Sequence, residues 1–478
     1  MHEKLNQRLD QLKNSLIKST REIIRIKSVK DDSMECMPFG IGINDALKNI
    51  IQTAESMGLE SKNVDGYAAY MEIGEGDELL GILCHLDVVP EGSNWTYPPY
   101  GAEIDNNKIY GRGTIDNKGP AVAALYALKA IADCEIKLNK RVRLILGTDE
   151  ESDWKGIKYY LENEEAPDLA FSPDAEFPVI YGEKGILNFK LLKKFPNGED
   201  KSNKKNENNE SKRIESIIIE GGSAPNMVPD LSKAVIVSSY SDYIIEKANN
   251  YNKNNSLANI EVSQEDNKII INSHGVSAHG SLPEDGVNAI SHLMIFLDEL
   301  DLLYGEIAQF VNFYVEKFGL DYNGQIMGYK AKGDPANLLS LNIGKIKVEA
   351  EMAEIIIDIR YPVSWDKEKV VKDIRNMISD YEISYQELNH KEPLYIEKDN
   401  QLVKKLMKVY QEYTGDKSNP IIIGGGTYAR AIDNAVAFGP IFPGQEELAH
   451  QRDEYIDIDN LLLISKIYAA AIVEIAGE

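Results

Sequence analysis

Three cysteines in 478 residues are too few and too scattered for a disulfide framework or a zinc finger. Cys84 lies inside an apolar run and reads as a small buried hydrophobe. Positive charge is also short. Against 77 Asp and Glu stand 52 Lys and Arg, a net charge of −25 at pH 7. Such a field repels nucleic acid and anionic membranes, so neither is expected as a partner. It repels anionic substrates too, unless cations or metal ions reverse the local sign. Long apolar runs are missing: no 18 consecutive residues would span a bilayer. The opening stretch is a charged amphipathic helix without a secretory core, so a cytoplasmic location is expected.

At this length one ordinary core is too small, and two domains are expected. Leu5, Leu9, Leu12 and Leu16, continuing to Ile23 and Ile24, predict an opening helix. Leu47, Ile50, Ile51, Ala54 and Met57 predict a second, stopped by Gly58. An extended piece at Tyr67–Ile73 leads to Gly81–Pro90, GILCHLDVVP. Ile82, Leu83 and Cys84 mark a buried strand with His85 at its mouth. A histidine there can offer one ring nitrogen to a metal, and Asp87, two residues on, can hold the other. A single H-x-D is more often a core histidine beside a solvated aspartate.

The pattern recurs. Asp116 lies in YGRGTIDNKGP, before an Ala-rich helix through Ala121–Ala132. Gly111 and Gly113 permit the tight approach that sets Asp116 at the helix start, where a capping aspartate is common. The strand Val142–Gly147 ends in Thr148-Asp149-Glu150-Glu151, three carboxylates that need solvent or cations. Leu169–Ser172 closes with Pro173 and Asp174. Strands alternating with helices predict an α/β fold, a mixed, mostly parallel sheet with helices on both faces. Its ligand crevice lies beyond the carboxyl ends of the strands. One histidine and several carboxylates converging there make a divalent metal site, sized for two ions.

Past Lys184 the texture changes. Leu187–Leu192 alternates like a strand, and Lys201–Arg213 is a polar run read as an exposed loop tip. Extended runs at Ile214–Ile219, Lys268–Asn272 and Ile355–Tyr361 carry helical patterns between them, one near Gly286–Leu303. We read 187–388 as an inserted α+β domain that splits the first into 1–186 and 389–478. A helix around Leu402–Tyr413 and a strand Ile421–Ile423 precede Gly424, Gly425, Gly426 and Thr427, with a helical stretch at Tyr428–Ile432. Such a turn offers backbone N–H groups to an anion. It has neither G-K-[ST] nor G-x-G-x-x-G, so a small carboxylate is a better guest than a nucleotide. A strand Ala435–Phe438, a loop Gly444–Asp453 holding His450, and a helix Asp459–Ile475 end the chain.

Together, HLDVVP at 85–90, GRGTIDNKGP at 111–120, TDEES at 148–152 and SPDAEFP at 172–178 resemble the M20 family of metallopeptidases, most closely its long, PepV-like dipeptidase branch. GGSAPNMVPD at 221–230, SAHGSLPEDGVNA at 277–289, DIRYP at 358–362, GGGTYAR at 424–430 and His450 carry the likeness in order along nearly the whole chain. The resemblance implies a catalytic domain built as a di-zinc peptidase, with the insert as its lid. It implies one ion on His85, Asp116 and Asp174, and a second on Asp116, Glu151 and His450, with Asp116 bridging. The mixed N/O set suits two Zn²⁺ per chain, with Mn²⁺ the alternative. Asp87 would stand behind His85. Glu150 would be the general base for a hydroxide between the metals and return the proton to the leaving amine. His279 would donate to the oxyanion. Asn226, Arg360 and the Gly424–Thr427 turn would hold the substrate's backbone and terminal carboxylate. The implied activity is a metal-dependent dipeptidase acting on small peptides, Xaa-Xaa and β-alanyl dipeptides among them. An M20-type amidohydrolase removing acetyl or succinyl groups is the alternative, and a silent binding protein ranks last because every expected residue is present. The long lid favours a monomer over a dimer. His2, His274, His292 and His390 match no such position and read as ordinary residues.

Overall fold

A computed structural model describes residues 2–195, 214, 216–326, 328–329 and 338–477. The polar run expected as a loop tip at 201–213 lies outside the described residues. The chain divides into two compact units, one of Met1–Gly182 with Leu394–Glu478 and one of Glu183–Pro393. These borders differ by a few residues from those expected at 186/187 and 388/389, for a reason of pairing. The strand Ile180–Glu183 belongs to the first sheet, whereas Gly185–Lys194 pairs along its whole length with Met352–Tyr361 in the second. On the way back, Ile383–Lys391 is still an edge of the second sheet, and Leu394–Tyr395 already an edge of the first.

In the first unit a nine-stranded sheet has at its centre Arg141–Gly147, Leu79–His85, Leu169–Ser172 and Ala435–Ala437, all parallel. Helices Lys118–Asp133 and Lys155–Asn163 make the crossovers between the first three, as parallel neighbours require. The flank is antiparallel: Glu60–Val64 turns back within three residues into Ala68–Ile73. Alternation along the central strands sorts the side chains onto two faces. Leu80, Ile82, Cys84, Val142, Leu144 and Leu146 pack under helices His2–Ile24, Lys118–Asp133, Gln401–Thr414 and Ile458–Ala476. Leu83 and Ile145 face the other way, against Ile157 and Tyr160 of the short helix and Tyr428. Buried on both faces, these strands must be apolar throughout, which is why they read as continuous runs. The opening and closing helices are tied at their surfaces by Lys13–Asp459 at 2.8 Å and Lys466–Asp10 at 2.6 Å.

The second unit is an eight-stranded sheet, antiparallel throughout, running from the edge Asn259–Glu265 to the edge Ile383–Lys391. Alternate residues such as Phe189, Ile219, Ile271 and Ile357 meet Ile244, Leu293, Phe310 and Ile374 from four helices. The helix expected near Gly286–Leu303 is Ala289–Glu299, opened by Asn288, whose side chain accepts from Ser291 N. Mixed α/β architecture thus describes the chain, one unit layered around parallel strands and the other a helix-backed antiparallel sheet. No helix among the described residues is long and apolar enough to cross a membrane.

Candidate metal centre

Parallel strands in register end level with one another. His85 is paired with Gly147, the last residue of its neighbour, so Glu150 and Glu151 emerge beside it. Asp174 comes two residues after the strand on the other side. His85 Nε2 lies 2.9 Å from Asp116 Oδ1 and 3.4 Å from Asp174 Oδ1. His450 Nε2 lies 3.0 Å from the second oxygen of Asp116 and 3.1 Å from Glu151 Oε1. Asp116 therefore stands between the two histidines, one oxygen towards each. Ligand atoms of His85, Glu150 and Asp174, and of His85, Asp116 and Glu151, fall within 4.8 Å of one another.

So many like charges in one place disturb each other. Burial, then the neighbouring Asp116, push Glu151 up to about 7, against the pull of His450. Burial would raise Asp116 as well, but contacts from His450 and His85 hold it below the usual carboxylate range. Burial would lower His85; Asp174, with contacts to Asp116 and Asp87, instead holds it well above its ordinary value. His450 is likewise pushed up to about 11, burial being outweighed by Asp116 and Glu151. His85 Nε2 is buried and, among the described residues, has no well-aligned hydrogen-bond partner despite the near carboxylates. A buried ring nitrogen facing carboxylates that repel one another is part of a donor set that divalent cations fit.

Three of the surrounding contacts add detail that the sequence does not show. Asp87 meets the histidine mainly through its backbone: His85 Nδ1 is 3.0 Å from Asp87 O and 3.4 Å from Oδ1. Its buried carboxylate instead accepts the backbone N–H groups of Glu150 at 3.1 Å and Glu151 at 3.0 Å. Asp116 is not the helix cap. Asn117 holds that position, and its side chain donates to Asp174 at 2.8 Å rather than capping the helix Lys118–Asp133. Of the three consecutive carboxylates, Asp149 turns away to Lys30 at 2.8 Å, which leaves Glu150 and Glu151 to the cluster. Two residues not singled out in the sequence, Arg112 and Glu454, lie buried behind the centre at 2.8 Å from each other.

The Gly-rich turn also differs. After Thr427 the chain makes a single 3₁₀ turn, Tyr428–Ala431, capped by Thr427 Oγ1. So short a turn carries little dipole; the positive group near the glycines is Arg430, which donates to Gly425 O at 2.9 Å. In the second unit, His279 and Asn226 come close together. Met227 bridges to His279, Gly280 N donates to Asn226 O at 2.7 Å, and His279 Nδ1 meets Ser281 Oγ at 2.6 Å. Buried Asn342 donates to Pro225 O and Met227 O, each at 2.8 Å, and so pins both sides of Asn226. Arg360 is buried, with Nε and Nη2 forked onto Asp358 at 2.9 and 2.7 Å.

A chain that gathers histidines and carboxylates at the ends of parallel strands, and carries a second α/β unit within it, has the build of a metal-dependent peptidase. The family model of Peptidase family M20/M25/M40 matches residues 81–474, and the chain belongs to that family. Among its relatives, a Bacillus subtilis (strain 168) protein described as "Putative dipeptidase YtjP" is 40% identical over 467 residues, covering 97% of this chain and 98% of that one. A Staphylococcus haemolyticus protein under the same description, SH1171, is 35% identical over 478 residues, 99% of each. Human carnosine dipeptidase 1 shares the fold with a TM-score of 0.58 at 16% identity, over 99% of this chain and 98% of that one. The aminoacylhistidine dipeptidase of Vibrio alginolyticus does so with a TM-score of 0.56 at 15% identity, over 97% of each.

Proposed function

We propose that this peptidase is a dipeptidase of the cytoplasm, hydrolysing the one peptide bond of Xaa-Xaa dipeptides, β-alanyl dipeptides included. The observation that carries the reading is the cluster itself, with Asp116 placed 2.9 Å from one histidine and 3.0 Å from the other. His85, Asp116 and Asp174 would hold one divalent ion, and Asp116, Glu151 and His450 a second, Zn²⁺ suiting this set and Mn²⁺ being the alternative. Bound there, the ions supply Lewis-acid polarisation and a water acidic near neutral pH.

The remaining steps belong to the chain. Glu150 takes the proton of the attacking water and returns it to the leaving amine. Asp87 holds the backbone of Glu150 and Glu151 through its two carboxylate oxygens. In the second unit, which we read as a lid domain, His279 donates to the oxyanion, while Asn226 and Arg360 bind the substrate's polar ends. Gly424, Gly425, Gly426 and Thr427 offer the terminal carboxylate their backbone N–H groups, with Arg430 adding positive charge. We read the protein as a monomer.

The test is hydrolysis by metal-stripped protein reloaded with Zn²⁺ or Mn²⁺. Free dipeptides, their N-acetylated forms, tripeptides, and N-acetyl and N-succinyl amino acids are compared side by side. Cleavage confined to free dipeptides is expected. Cleavage of acylated amino acids alone would replace this reading with an amidohydrolase.

A further inference from the structure

We propose that the buried pair Arg112–Glu454 is a positioning device that holds Asp116 and His450 in one frame, and so sets the spacing of the two metal positions. The inference rests on the two-ion reading above. Arg112 is 2% exposed and Glu454 0%. The two are brought together by the strand Tyr455–Asp457, which pairs antiparallel with Lys108–Tyr110, and by Gly111 N donating to Glu454 O at 2.8 Å.

Glu454 acts as an anion inside a ring of backbone donors. Its Oε1 accepts from Ile115 N at 2.8 Å, Gly113 N at 3.1 Å and Asp116 N at 3.3 Å, with Thr114 Oγ1 at 3.4 Å. The turn that meets it requires Gly113 at φ +90°, where a Cβ would also crowd Val88 at 3.0 Å. Arg112 reaches in the other direction. It donates Nη2 to His450 O and Nη1 to Gln451 O, each at 3.1 Å. These anchor a residue whose own backbone is held at φ 64°.

The contacts close a loop. It runs from the Asp116 carboxylate to the His450 ring at 3.0 Å, from the His450 carbonyl to Arg112, from Arg112 to Glu454, and from Glu454 back to the Asp116 N–H. A pair of buried charges is poor value as stabilisation, because removing both from water costs about what their attraction returns. What this pair supplies is position. A planar guanidinium fork and a two-oxygen acceptor fix direction as well as distance, and both end on the main chain of residues that carry the cluster.

Metal-free wild type, Glu454→Gln and Arg112→Lys would be titrated with Zn²⁺ by calorimetry, with circular dichroism to check folding and dipeptide hydrolysis run in parallel. The glutamine keeps an acceptor but not the charge; the lysine keeps the charge but not the fork, and carries the test if the first variant fails to fold. Wild type should take up two ions. Each folded variant should bind the weaker-held ion about 10–100-fold less tightly, as loss of an outer support typically does. At saturating metal, kcat should fall while KM holds, and the double variant should be no worse than the poorer single. Folded variants that bind both ions as wild type does would leave the pair a structural ion pair and overturn the proposal. Wild type binding no ion would overturn the two-ion reading, and the proposal with it, a result distinct from the first.

Discussion

Asp87 serves two neighbours with different atoms. Its carbonyl meets the His85 ring, and its carboxylate collects the N–H groups of Glu150 and Glu151. Asp87→Asn should therefore leave the ring contact in place and disturb the glutamates, since the amide's NH₂ would face one of the two N–H donors. With a charge-assisted hydrogen bond worth about 1.5–3 kcal/mol, kcat should drop by roughly 10–100-fold in steady-state assays at saturating metal. Glu150→Ala should lower kcat by about 10²–10⁴-fold, while atomic absorption finds the metal content of wild type. Unchanged turnover in that variant would move the base elsewhere. Residues at this scale are unevenly legible in the sequence. His85, Glu151 and Asp174 announce themselves by ending apolar runs. Arg112 and Glu454 do not: each looks like an ordinary surface charge, and only the tertiary fold pairs positions so far apart in the chain. Spacing alone points the carboxylate of Asp87 towards the histidine because the strand continues that way; the turn after Gly147 brings nearer donors to it.

Among elements, the long ones are the easiest to read. The strand expected at Leu169–Ser172 occupies those residues, and the helices expected at Ala121–Ala132 and Leu402–Tyr413 extend one to three residues further at their ends. The stretch after Thr427 misleads because five residues cannot distinguish an α-helix from one 3₁₀ turn. The helix Ala289–Glu299 carries a quieter feature. His292 is buried there, its Nδ1 3.1 Å from Tyr251 Oη, and burial lowers its pKa below the ordinary value. The unfolded chain takes up a proton at about 6.5, whereas the folded one resists it. The stability this histidine contributes is whole above that pH and is lost as pH falls below it through the folded value. Between pH 7 and 5 the unfolding midpoint of wild type should drop further than that of His292→Phe, in which the group cannot titrate. Parallel curves for the two proteins would show that His292 does not titrate on unfolding.

The molecule divides into two compact units, and every residue proposed to hold metal belongs to the first. A ligand stabilises only the structure that binds it, by about 2.7 kcal/mol at a hundredfold excess over its Kd. Scanning calorimetry with and without a chelator should therefore show one transition that moves and one that stays. A single transition shifting as a block would mean that the units unfold together.

In the same unit, two helices far apart in the sequence lie side by side. The helix His2–Ile24 and the helix Ile458–Ala476 share one core and are joined by two ion pairs across it. During synthesis the first of these leaves the ribosome several hundred residues before the second exists. Until then Lys118–Asp133 has the opening helix against it but lacks the contacts of Ile458–Ala476, and His450 has not yet been made. Until that second helix is made the core of this unit is incomplete, and the apolar surface it will cover stays open to other contacts.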